Sequence, residues 1–179
     1  MNSSILRNSI FVSLILVGLS AIPIAIWGMD IDYKRAEVIG YLSMFFSLSL
    51  MYFGIKRYRD QDLGGGITFV QAFKAGLLIT LVAAIAFGIY SWLLVGYWHP
   101  EFTEDYFTYM IENAQSSMTE AEFAVHLEKM EAQKAMFENP VIQGAVMAAT
   151  ILLIGLIVSI VMSLILKRNP AQSGVAPTT

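Results

Sequence analysis

The residues Gly54 to Gly76, GIKRYRDQDLGGGITFVQAFKAG, place three cations, Lys56, Arg57 and Arg59, beside the glycine run Gly64, Gly65 and Gly66. Those are the ingredients of a loop that cradles phosphate. A dinucleotide fingerprint requires G-x-G-x-x-G behind a strand, but Gly64 and Gly66 are followed by Phe69 where the third glycine belongs. A Walker loop requires Gly-Lys-Ser/Thr, which the chain does not contain. Nucleotide binding fails here on residues and on context. Metal chemistry has one candidate set: Glu122 and His126, one helical turn apart, with His99. The spacing of His99 to that pair is arbitrary, so these side chains read as solvated charge and no metal is assigned. Ser43, Ser47, Ser159 and Ser163 lie in apolar stretches without a basic partner, which removes a nucleophile–base pair. Cysteine is absent, which removes disulfides and thiolate catalysis. No catalytic or cofactor-binding residue is assigned, and nothing points to nucleic acid.

What must position these residues is a membrane bundle. Apolar residues make up 56% of the 179 and charged ones 14%, whereas soluble domains average about half apolar and a quarter charged. Four stretches, Asn8–Met29, Ala36–Ile55, Ala75–Trp98 and Val141–Leu166, are free of Asp, Glu, Lys and Arg except for Glu37, one residue inside its boundary. Each meets the requirement of about 20 apolar residues for a helix crossing the hydrocarbon. Their continuous apolarity excludes barrel strands, which alternate and are shorter. The predicted fold is therefore all-α, a bundle of four transmembrane helices forming one membrane domain over 1–168, followed by a disordered tail over 169–179.

Charge orients the bundle. Arg7, Lys56, Arg57, Arg59, Lys74, Lys167 and Arg168 fall on one side, and only Lys34, Arg35, Lys129 and Lys134 on the other. Short basic loops stay in the cytoplasm, so both termini and the 56–74 loop are expected inside, with Asp30–Arg35 and His99–Pro140 outside. Trp27, Trp92 and Trp98 then fall in or near the outer half, where indoles anchor. The first stretch is too long for the apolar core of a signal peptide, roughly 7–15 residues, and is expected to remain as a helix.

In this frame the basic stretch is a membrane-edge turn. Lys56, Arg57 and Arg59 stop the second span and reach anionic lipid headgroups, each contributing on the order of 1 kcal/mol. Gly64, Gly65 and Gly66 reverse the chain, and Lys74 holds the start of the third span at the interface. The pattern Gly54-Ile55-Lys56-x-Tyr58-Arg59-Asp60, then Gly64–Gly66, then Ile67-Thr68-Phe69-x-x-Ala72-Phe73-Lys74-x-Gly76 resembles a bacterial four-span membrane family known as domain of unknown function 4199. The resemblance extends in outline over about residues 5–168 and implies a small inner-membrane protein without supplying an activity.

Small residues recur at every fourth position along the third span, at Ala72, Gly76, Thr80, Ala84 and Gly88, and along the last at Gly155, Ser159 and Ser163. Such ridges let backbones approach closely; packing within the bundle is the favoured use, and oligomerisation is the other. Pro23 frees the carbonyl of Leu19 and is expected to bend the first span.

The segment 99–140 holds nine acidic residues against two lysines. Two helices are legible in it: Phe102, Tyr106, Tyr109 and Met110 share one face of a first, and Phe123, Leu127, Met130 and Phe137 share one face of a second. Ser117/Glu120 or Thr119/Glu122 supplies a capping box, and Asn139-Pro140 opens the last span. The pair either rests as a lid on the bundle or docks a periplasmic or membrane partner. The function expected is that of a non-catalytic accessory or interaction protein of the inner membrane; the alternative is a small-solute transporter or channel subunit acting as an oligomer.

Overall fold

A computed structural model describes residues 2–27 and 32–168. Met1, residues 28–31, the 169–179 segment expected to be a disordered tail, and the Trp27 side chain lie outside the described residues. The helices are α1 (Ser3–Trp27), α2 (Tyr33–Ser49), α3 (Met51–Arg57), α4 (Phe69–Leu93), α5 (Phe102–Ser117), α6 (Glu120–Phe137) and α7 (Pro140–Leu166). Only Leu50 separates α2 from α3, and its φ of −64° and ψ of −12° stay right-handed, so the two form one rod. That rod ends in a π turn, Tyr58–Asp62, and α4 ends in another, Leu94–Trp98. Among the described residues, four helical runs are long and apolar enough to cross a membrane: Ser3–Ile26, Tyr33–Asp62, Phe69–Trp98 and Pro140–Leu166.

The all-α reading holds, but the helices overrun the apolar stretches. Hydropathy marks where the hydrocarbon begins, whereas a helix begins at its cap. Asn2 Oδ1 accepts from the Ser4 N–H at 2.9 Å, which starts α1 ahead of Asn8. Asp32 accepts from the N–H of Lys34 and Arg35, which starts α2 ahead of Ala36. Thr68 and Gln71 form a capping box, which starts α4 six residues ahead of Ala75. The loop expected over 56–74 is thereby reduced to the non-helical residues 63–68.

α4 lies at the centre, packed along α7 and α1. The two small-residue ridges meet there. A Cβ on Gly76 would come within 2.8 Å of Ser159 Oγ, and one on Gly155 would overlap Thr80. Farther along, Gly88 meets Gly144, where a Cβ on either would lie 2.9 or 2.7 Å from the other's carbonyl oxygen. Ala72, Gly76, Thr80, Ala84 and Gly88 are all buried, as are Gly155, Ser159 and Ser163. Leu14, Ile26, Leu42, Phe46, Leu153 and Ile157 instead point outward, more than half exposed, as side chains facing lipid do. Ser163 Oγ donates to the Ser159 carbonyl, and Ser9 and Ser13 likewise bond one turn back, so these hydroxyls are satisfied within their own helices. Ser47, in contrast, is buried with its Oγ unpartnered.

Candidate functional site

At the end of the bundle that carries the basic stretch, the motif residues build a turn and tie it to the last helix. Gly64 and Gly65 have φ of +66° and +92°, and Gly66 does not. Gly65 N–H donates to the Arg59 carbonyl at 2.8 Å, closing the reversal. Ile67, fully buried, exchanges two backbone bonds with Arg168, of 2.9 and 2.8 Å. Gly54 belongs to a close approach, since a Cβ there would overlap the Asn8 side chain of α1.

The four cations of the stretch separate into two kinds. Arg59, its side chain only 14% exposed, donates to both Asp60 oxygens at 2.6 and 3.2 Å and to the Leu166 carbonyl at 3.4 Å. It is a cation at the C-terminus of α7, favourable for the helix dipole, and is turned inward from the headgroup position expected of it. Lys56, Arg57 and Lys74 are exposed, with Arg57 Nε on Gln61 Oε1 at 2.8 Å. Tyr58 is half-buried, and Phe69 stacks on Phe73 with centroids 5.8 Å apart.

A Cβ at Gly64 meets open space, so Gly64→Ala should lower stability by about 1 kcal/mol through backbone strain alone. Gly64→Asn should recover much of it, because asparagine visits that conformation with less strain. Thermal melting of the purified protein checks this; equal loss in both variants would point to the side-chain space instead.

At the opposite end, α5 and α6 close over the bundle and leave a chamber of about 480 Å³ beneath them. That volume lies within the roughly 300–1,000 Å³ of small-molecule sites. Leu19, Ser20 and Pro23 of α1 line one wall, Gly40 and Met44 of α2 another, and Phe87 and Tyr90 of α4 the floor, with Met147 and Thr150 of α7 behind. The roof is Phe102, Thr103, Tyr106, Phe107 and Met110 of α5. Glu37 is the one charged side chain in this lining among the described residues. Ser20 Oγ is buried without a partner. Burial first, and then the Glu37 carboxylate, push the Tyr106 hydroxyl's pKa up, which keeps it protonated as a donor.

The roof is fastened by specific contacts. Thr103 Oγ1 donates to Gln143 Oε1 at 3.2 Å, both side chains buried. Tyr33, at the start of α2, meets Phe102, Tyr106 and Tyr109 with ring centroids 6.3, 5.8 and 5.1 Å away. The face expected of α5 is therefore the face that seats it. Phe107 was missed: it lies beside that stripe, 5% exposed, 6.1 Å from the ring of Phe137.

α6 behaves differently. Of its expected face only Met130 is buried, and Phe123, Leu127 and Phe137 are half-exposed. Lys134 Nζ holds it to Glu104 of α5 at 2.6 Å. Its cap is Thr119/Glu122, and the Thr119 hydroxyl and then its N–H hold the Glu122 carboxyl below the usual range. His99 meets Glu101 at 3.1 Å, and that carboxyl is lowered first by its own N–H and then by the imidazole. Glu122 and His99 are thus engaged at different helix ends. Trp98 is exposed and Trp92 half-buried near the lid end.

A family model described as "Protein of unknown function (DUF4199)" matches residues 9–168. No curated protein and no solved structure matches the chain.

Proposed function

The chain belongs to the DUF4199 family, and from that premise and the roofed chamber we propose that it is a non-catalytic accessory protein of the bacterial inner membrane that works by binding. Both termini face the cytoplasm, which the seven-to-four distribution of basic residues supports. Lys56, Arg57 and Lys74 then meet anionic headgroups of the inner leaflet, and α5–α6 is extracytoplasmic. A cytoplasm-dependent reporter fused after Leu166 should be active and one fused near Ser117 silent; the reverse pattern would overturn this orientation.

The observation that carries the binding reading is the chamber itself, roofed by α5 through the Thr103–Gln143 bond and the Tyr33 cluster. The accessory part rests on α6, which buries a single residue of its own and exposes Glu120, Glu128 and Glu131, with Glu138 exposed at its C-cap. A periplasmic or membrane protein with a basic face suits that surface. An oligomeric solute path would need polar faces between copies, and the large side chains that the spans turn outward are mostly Leu, Ile, Val and Phe, with Glu37 and Tyr41 of α2 as exceptions. Native mass spectrometry of the gently purified chain tests the reading. One retained small molecule per chain is expected; a folded chain that never carries one would contradict it.

A further inference from the structure

The shape and polarity of the chamber narrow what it can hold. Its lining runs from Tyr33 to Met44 along α2, eleven steps of the helix, or about 16 Å at 1.5 Å each. That is about half of a hydrocarbon core of roughly 30 Å, the depth of one leaflet. One opening is at α2, where Glu37 and Tyr41 line the chamber and are also exposed; Gln133 of α6 lines it and is exposed as well. Val38, Leu42 and Phe45 beside Glu37 and Tyr41 are exposed large apolar side chains, so the opening at α2 faces lipid.

Charge in the lining is one-sided, although hydroxyl and amide groups that can donate, such as Tyr106, Gln133 and Thr150, are present too. Glu37, when ionised, only accepts hydrogen bonds, and no lysine or arginine is present in the lining among the described residues. A phosphate or carboxylate headgroup would meet like charge and no counter-charge. A hydroxyl or amine would meet an acceptor at Glu37, and Ser20 Oγ, buried and unpartnered, is a further group that a ligand hydroxyl can satisfy. Deeper in, Met44, Phe87 and Met147 supply apolar walls, two of them the adaptable thioethers that accommodate flexible chains.

Resting on the binding reading above, we infer that the chamber takes one single-chain amphiphile from the lid-side leaflet, its polar end bearing hydroxyl or amine donors and no negative charge. The ligand enters sideways at α2. Its polar end stops at Glu37 and its chain runs inward past Met44 and Met147.

Photolabelling of the full chain in phosphatidylcholine vesicles tests this, with three probes of equal chain length carrying the same photoreactive group: a monoacylglycerol, a long-chain amine and a fatty acid. At pH 8 the first two should label α2 and α7 residues of the chamber saturably at one equivalent per chain, and the fatty acid about tenfold less well. Gly40→Phe should fill the chamber, since a side chain there starts in open space, and reduce labelling by at least about tenfold. Ala36→Phe serves if that variant does not fold. Glu37→Gln should remove the advantage of the amine over the fatty acid and leave the monoacylglycerol labelled. If the fatty acid labels wild type as strongly as the amine, the assignment of ligand class falls while the binding reading stands. If no probe labels saturably, or labelling spreads evenly over the spans and ignores both phenylalanine variants, the binding reading falls with it.

Discussion

Replacing Gly144 or Gly88 by leucine should separate α4 from α7 and leave little folded protein. At this crossing each glycine presents its Cα to the other's carbonyl, and a first side-chain carbon would sit 2.9 Å from the Gly144 oxygen or 2.7 Å from the Gly88 oxygen. Backbone cannot swing aside as a flexible side chain does, so relief requires the whole helix to shift. Overpacking typically costs about 1–3 kcal/mol, and leucine here should exceed that range. Even alanine should fall within it. Gly18→Ala is the control, because a Cβ at Gly18 meets nothing within 4 Å and glycine inside a helix is already unfavourable by roughly 0.5–1 kcal/mol. That variant should melt at or above wild type. Thermal unfolding in detergent, read by loss of monodisperse protein, separates the cases; tolerance of leucine at Gly144 would show that α4 and α7 do not cross there.

Phe107→Ala should loosen the lid while leaving the spans assembled. Phe107 is the most enclosed aromatic side chain of α5, against Phe137 and Tyr106, and truncating a buried phenylalanine costs about 3–5 kcal/mol. Because α5 and α6 touch the bundle through few residues besides, that loss should appear as local opening rather than global unfolding. Hydrogen exchange should accelerate across α5 and α6 and stay slow in α4 and α7. Uniform acceleration would mean that lid and bundle unfold as one unit, and no change would mean that Phe107 does not hold the lid.

Much of this architecture is written locally. Uninterrupted apolar runs leave a helix no alternative in lipid, and the ridges Ala72 to Gly88 and Gly155 to Ser163 announce their close approach by spacing alone. Gly144 escaped because it lies outside the four-residue interval, yet it stands eleven residues before Gly155, about three helical turns, and so on the same face. Arg59 was read as a headgroup anchor because it sits beside Lys56 and Arg57; its acceptor on α7 is 107 residues away, a partner that local pattern does not reveal. The chamber was invisible for the same reason, since it exists only where α5 folds back over α1, α2 and α7. Its one sequence trace was Glu37, the lone carboxylate inside an apolar stretch.

The seating of α5 on the N-terminal end of α7 is the contact on which lid, chamber and ligand all depend. The chain has no cysteine, so Thr103→Cys with Gln143→Cys places a single reactive pair where the side chains now bond at 3.2 Å. In native membranes, a mild oxidant or a short thiol-specific crosslinker should join the two within one chain rapidly and nearly completely. If both cysteines react singly with thiol reagents but never join within one chain, α5 does not roof the bundle and the chamber is not a feature of the folded protein.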